Sequence, residues 1–105
     1  MQIHLHQTHH DIADFQGIFS SLKAKLCNVH ENYGIHLFPE LYLTGYPLAD
    51  LVLQRPFIDL YQQFLNQINA WSITLEPNSQ INALIGGLEY QFDKNQLPEK
   101  IYNVA

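Results

Sequence analysis

Along residues 1–7, MQIHLHQ, apolar and polar positions alternate: Met1, Ile3 and Leu5 share one face, Gln2, His4 and His6 the other. A period of two over so short a segment predicts a strand. Its polar positions are histidine and glutamine rather than lysine or glutamate, so the second face is expected to be partly covered as well. From Ile12 the period changes. Ile12, Phe15, Phe19, Leu22, Leu26 and Val29 follow one another in steps of three and four, a single stripe on a helix, with Lys23 and Lys25 off it. Asp11 or Asp14 can cap that helix, and Asn32-Tyr33-Gly34 is its stop, Gly34 being suited to a left-handed C-cap.

Ile35-His36-Leu37-Phe38 fits a buried strand, and Pro39, which cannot donate a ladder hydrogen bond, ends it at about Phe38. Glu40 is then left just past the strand's C-terminal end, where open α/β sheets hold their ligands. Residues 41–55 read as an ordered loop containing a Gly-Tyr-Pro turn and an apolar segment from Leu48 to Leu53. Pro56 suits the first turn of a second helix, whose stripe is Phe57, Leu60, Tyr61, Phe64, Ile68, Trp71 and Leu75. After a loop at 76–80, Ile81 to Tyr90 reads as one strand, interrupted by Gly86-Gly87 at a bulge or a close backbone approach. DKNQLPEK is a polar, hairpin-like connection, and IYNVA begins another strand. The predicted order is β-α-β-α-β-β, an α/β layered fold.

Composition adds one point to this picture. The 105 residues, one domain or part of one, are 47% hydrophobic and 12% aromatic, ample for a core, but only 14% are charged. An average soluble domain carries roughly 25%. Much of the surface is therefore expected to be covered by something else, and the sequence reaches Ala105 as a strand starts, with no terminating signal. The net charge of −5, with five Lys plus Arg, argues against a nucleic-acid partner. One cysteine, Cys27, leaves no internal disulfide framework and fits a reducing compartment. The N-terminus lacks the basic region and apolar core of a signal peptide, and no apolar run approaches the roughly 18–20 residues of a membrane span. The expectation is a soluble, cytoplasmic protein with no membrane partner.

Glu40 is the main chemical candidate, as a general base at a strand end partly desolvated by Phe38, Leu41 and Tyr46. The alternative is a solvated loop carboxylate or a cap on a local turn. Tyr46, between Gly45 and Pro47, either lines a pocket and offers its hydroxyl to a substrate or packs the loop on the core. Cys27 lies inside the first predicted helix, next to stripe residue Leu26, with nothing to activate it, and reads as an inert thiol. His4, His6, His9 and His10 lack a carboxylate or cysteine at metal-site spacing and read as strand-face and loop histidines, so no metal is expected. A Gly-x-Ser-x-Gly elbow, a Gly-rich phosphate loop and a Cys-x-x-Cys pair are all absent.

The stretch FPELYLTGYPLADLVLQRPF, residues 38–57, resembles the Phe-Pro-Glu-Leu-x-Leu-Thr-Gly-Tyr-Pro-x-x-Asp-Leu signature of the nitrilase (carbon–nitrogen hydrolase) superfamily. Its Gly-Tyr-Pro-x-x-Asp-Leu form is most similar to the N-terminal glutaminase domain of glutamine-dependent NAD synthetases. MQIHLHQ is similar to that family's first strand, with Gln7 at its end. Asp14 and Gly17 fit its Asp-x-x-Gly-Asn region, with Phe19 departing from it. Residues 83–87 and 101–105 resemble its Val-Val-Gly and Tyr-Asn-x-Ala strands. The resemblance implies part of an α-β-β-α sandwich and a Glu-Lys-Cys triad that hydrolyses glutamine. Glu40 falls on the family's base and Tyr46 on a tyrosine near its glutamine pocket. The lysine and the nucleophilic cysteine would lie downstream of Ala105, since Lys94, Lys100 and Cys27 do not match them. The implied glutaminase part needs no cofactor. ATP and Mg²⁺ would belong to a separate synthetase domain, and the full-length parent would be a homo-oligomer. Another amidase of the superfamily, or a non-catalytic interaction module pairing through an unfinished sheet, are the other readings.

Overall fold

The computed structural model describes residues 2–8, 10–26, 34–74 and 81–105. Met1, His9, Cys27, Val29, Asn32-Tyr33, Leu75 and the 76–80 loop lie outside the described residues. The class is mixed α/β: strand β1 (Ile3–Leu5), helix α1 (Phe15–Leu26), β2 (Gly34–Leu37), a 3₁₀ turn (Ala49–Leu53), helix α2 (Arg55–Ile73), then β3 (Ile81–Leu84), β4 (Gly87–Phe92) and β5 (Pro98–Val104). β1, β2 and β3 form a parallel sheet in that order, while β4 and β5 form a separate antiparallel hairpin.

The single strand expected over Ile81–Tyr90 is thus two strands in two sheets. The break has a steric cause. At Gly86 the chain runs so close to the loop after β2 that an added Cβ would stand 2.4 Å from Pro39 O and 2.7 Å from Leu41 N. Leu43 N–H closes the contact by donating to Gly86 O at 3.0 Å. Only glycine admits that approach. Two other boundaries move. β2 begins at Gly34 rather than Ile35, at φ +112° with its bare Cα facing Gln2 O just before β1, and the helix stop expected at Asn32-Tyr33 lies outside the described residues. The apolar segment at 48–53, expected as loop, closes a 3₁₀ turn through Leu51 N–H to Leu48 O.

Asp14 caps α1: its Oδ1 accepts Gly17 N–H at 3.2 Å, and the carboxylate occupies the space a side chain at 17 would need. Ile12 precedes the helix and is exposed. Ile18, Leu22 and Leu26 are the buried face of α1, with Phe15 and Phe19 packed beside them. On α2 the buried face is Phe57, Ile58, Tyr61 and Phe64, while Leu60 points to solvent. Rings join the helices: Phe15 lies 4.9 Å from Phe64 and Phe19 5.9 Å from Trp71. Tyr61 and Tyr90 carry the hairpin, the first bonding Leu88 and the second donating to Val52 O at 2.7 Å. Burial pushes the Tyr90 hydroxyl up to about 12, with Tyr61 adding to the effect.

The parallel sheet is covered on the face that the alternation of β1 leaves polar. Its register sets His4 beside His36 and Ala83, and His36 is fully buried. The opposite face carries the rows Ile3–Ile35–Asn82 and Leu5–Leu37–Leu84. Ile3, Leu5 and Leu84 are 63%, 69% and 55% exposed there. Histidine goes inside and isoleucine outside, the reverse of what polarity alone selects.

Candidate active site

Glu40 sits where the sequence puts it, on the loop just past β2. The loop is tightly wound: Tyr42 N–H donates to Pro39 O, and both Thr44 N–H and Gly45 N–H donate to Leu41 O. Leu41 has φ +54°, a conformation that L side chains seldom adopt and that costs about 1–3 kcal/mol. Its neighbours hold it there. Thr44 is fully buried, with Oγ1 3.2 Å from Leu41 O, and Thr44 O accepts Ala13 N–H from the turn before α1. Gly45, at φ +80°, lies against Ile12 of the same turn, and the Tyr46–Pro47 peptide that follows is cis.

Two concavities flank Glu40. One, of about 240 Å³, is lined by Thr8, His10, Pro39, Glu40, Tyr42, Gly45 and Tyr46. The other, of about 330 Å³, runs from Glu40 along Phe38, Leu84, Gly86 and Asn103. Glu40 and Tyr46, predicted separately, therefore line one cavity. Glu40 itself is exposed: of the expected screen, Leu41 is buried below it and Tyr46 is 64% exposed. Its described partner comes from β5, where Asn103 Nδ2 donates to Glu40 Oε1. Lys94 and Lys100 line neither concavity, and Cys27 is outside the described residues.

Sequence reasoning missed Asn103, Thr8 and Tyr42 as neighbours of Glu40. Asn103 lies 63 positions from Glu40, and only the crossing at Gly86 brings β5 to the loop. Thr8 Oγ1 is buried with no hydrogen-bond partner among the described residues. Tyr42 anchors the loop to α1 through a 3.3 Å bond from its hydroxyl to Ser21 Oγ.

Beneath this loop the covered sheet face is a column of rings. His4 stacks on His36 at 4.3 Å, His6 on His36 at 5.1 Å and on Phe38 at 4.4 Å, and Phe38 meets Tyr42 at 4.8 Å. His6 Nε2 and His36 Nδ1 are 2.8 Å apart, a hydrogen bond in which one ring donates and the other accepts. Burial holds the His6 imidazole below its ordinary value of 6.5, helped by His36, Lys25 and His4 nearby. No group of three or more His, Cys, Asp or Glu side chains among the described residues is placed to hold a metal ion.

A carboxylate here can accept and return a proton, while a tyrosine hydroxyl and an unspent threonine hydroxyl can orient a polar ligand. Cysteine, lysine and arginine are absent from the described residues lining either concavity. No described helix is long and apolar enough to cross a membrane. No family model matches the chain, and a search of curated proteins finds no matching relative.

Because Gly86 presses on the backbone on both sides of Glu40, Gly86→Ala is expected to destabilise the fold by about 1–3 kcal/mol, the range for overpacking. It should also displace the Glu40 and Leu41 amide resonances. Unchanged resonances and an unchanged urea midpoint would mean that the approach at Gly86 relaxes freely.

Proposed function

We propose that this chain is the N-terminal portion of a nitrilase-type glutaminase domain, its parent a cytoplasmic glutamine-dependent NAD synthetase that releases ammonia from glutamine to amidate nicotinate adenine dinucleotide. The observation that carries the reading is the position of Glu40, on a strained turn past β2 with Tyr46 across one cavity. In this scheme a cysteine thiolate attacks the side-chain amide of glutamine, a lysine stabilises the tetrahedral oxyanion, and Glu40 takes the thiol proton and later activates water. The cysteine and lysine come from beyond Ala105, as do the groups that bind ATP and Mg²⁺. The rows Ile3–Ile35–Asn82 and Leu5–Leu37–Leu84, in which Ile3, Leu5 and Leu84 are exposed, would form the inner face on which the second sheet of an α-β-β-α sandwich rests.

The test is glutamine hydrolysis by the 105-residue chain and by the full product of its reading frame, each as wild type and Glu40→Gln. The chain alone is expected to be inactive. The full product is expected to release ammonia, with Glu40→Gln lowering kcat by about 10²–10⁴-fold, the usual contribution of a positioned acid–base group. Retained activity in Glu40→Gln, or a frame that closes without a lysine and a cysteine, overturns the proposal. The same open face also favours a second reading, an interaction module that associates through its sheet. Sedimentation of the chain alone as a stable dimer, together with such a closed frame, would select it.

A further inference from the structure

We infer that the His4–His36–His6 stack is an acid-sensitive brace for the Glu40 turn: protonating its imidazoles loosens Phe38 and Tyr42 and so moves the turn between them. Phe38 and Tyr42 bracket Glu40 in sequence and meet each other at 4.8 Å. Phe38 rests in turn on His6 at 4.4 Å, and His6 on His36 at 5.1 Å. The two sides of the turn thus stand on one column of rings, and that column contains three titratable groups with a fully buried one, His36, at its centre.

The bond inside the column depends on charge state. With neutral rings, or one proton added, the 2.8 Å contact between His6 Nε2 and His36 Nδ1 keeps one donor and one lone pair. When both rings are imidazolium, both nitrogens carry hydrogen, the bond is lost, and like charges face each other across stacked rings. The groups facing the column deepen this effect. From α1 comes Lys25, whose Nζ donates to Ser21 Oγ at 3.0 Å. From the loop comes Tyr42, its hydroxyl on the same Ser21 and its ring met edge-on by His10 at 5.1 Å. From β3 the partner of His36 is Ala83, which carries no charge. Lys25, His36 and His4 all oppose a proton on His6. The response to acid therefore begins in the column and is passed upward through Phe38.

The brace stands on the column alone; only its effect on a catalytic base rests on the function proposed above. The experiment is two-dimensional NMR of the intact chain as the pH is lowered from about 8 to about 5, the range in which histidines titrate. Wild type, His6→Phe and His36→Phe are compared, phenylalanine retaining the stack without titrating. In wild type the amide signals of Glu40, Leu41 and Tyr42 are expected to move with the same midpoint as the His6 imidazole signals, and both variants are expected to lose that movement. Amides that stay still while the His6 imidazole titrates would overturn the inference. So would amides that move equally in wild type and in His6→Phe, a half-buried position where the replacement keeps a ring against Phe38. Neither result bears on Glu40→Gln hydrolysis, so the two proposals fail separately.

Discussion

Replacing Tyr61 by phenylalanine is expected to lower the unfolding free energy by about 2–4 kcal/mol, a large share of the roughly 5–15 kcal/mol that holds a domain together. Tyr61 is fully buried on α2, and its hydroxyl serves Leu88 twice, donating to Leu88 O at 2.8 Å and accepting Leu88 N–H at 2.7 Å. Leu88 is the second residue of β4, immediately after the chain has left the parallel sheet at Leu84. Removing one oxygen strands a buried donor and a buried acceptor together, each costing about 1–3 kcal/mol when unmet. Gly87 makes the arrangement possible, since a Cβ there would lie 2.9 Å from the hydroxyl. Burial raises the Tyr61 pKa, partly offset by the Leu88 bond, so the group remains the protonated donor this bonding needs. The check is a pair of urea titrations with the slope held equal. A loss below about 0.5 kcal/mol, the scale of ordinary surface substitutions, would mean that water or a backbone shift satisfies Leu88 instead.

Tyr61 also shows what the sequence could and could not convey. Its place on the apolar stripe of a helix opened by Pro56 follows from spacing, and α2 forms there. The end of β2 near Phe38 follows from Pro39, and of the two caps the sequence offers, Asp11 and Asp14, the structure uses Asp14. These are local effects, decided within a turn or two of chain. Contacts made by chain crossings were not legible. Gly86-Gly87 signalled a close approach, but not that the partner would be the Glu40 loop, so one strand was expected where two sheets divide. Asn103 reached Glu40 only through that division. The inversion of β1 has the same origin: alternation identifies two faces, but which one is covered depends on what packs there, and the Glu40 loop, tied to α1 through Tyr42 and Ser21, reaches the histidine face through Phe38. Once there, the imidazoles are tolerated because they stack and bond to one another.

That arrangement makes stability depend on acid, and the sign follows from His6. Its folded-state pKa lies below the ordinary 6.5, so between the two values the unfolded chain binds more protons than the folded one. The contribution is fully present above about pH 6.5 and is lost as the pH falls through the lower folded value. If a second ring in the column is also forced to charge, two imidazolium ions with centroids 5.1 Å apart repel by roughly 3 kcal/mol at an effective dielectric constant near 20. The urea midpoint is therefore expected to be level between about pH 8 and 6.5 and to fall steadily from there to about pH 5, above the range in which carboxylates dominate. His6→Phe removes the titrating group while keeping a ring against Phe38, and it should flatten the fall over that interval. His36→Phe leaves the burial of His6 in place and removes only the opposing His36 ring, so it should make the fall shallower rather than flat, and both variants start from a different stability because each loses the His6–His36 bond. A wild-type midpoint that stays level to pH 5, or a fall that His6→Phe leaves unchanged, would remove the column as its cause. A fall abolished by His6→Phe would mean that one half-buried imidazole, seated beneath the turn that carries Glu40, couples the protonation of the sheet to the stability of the whole chain.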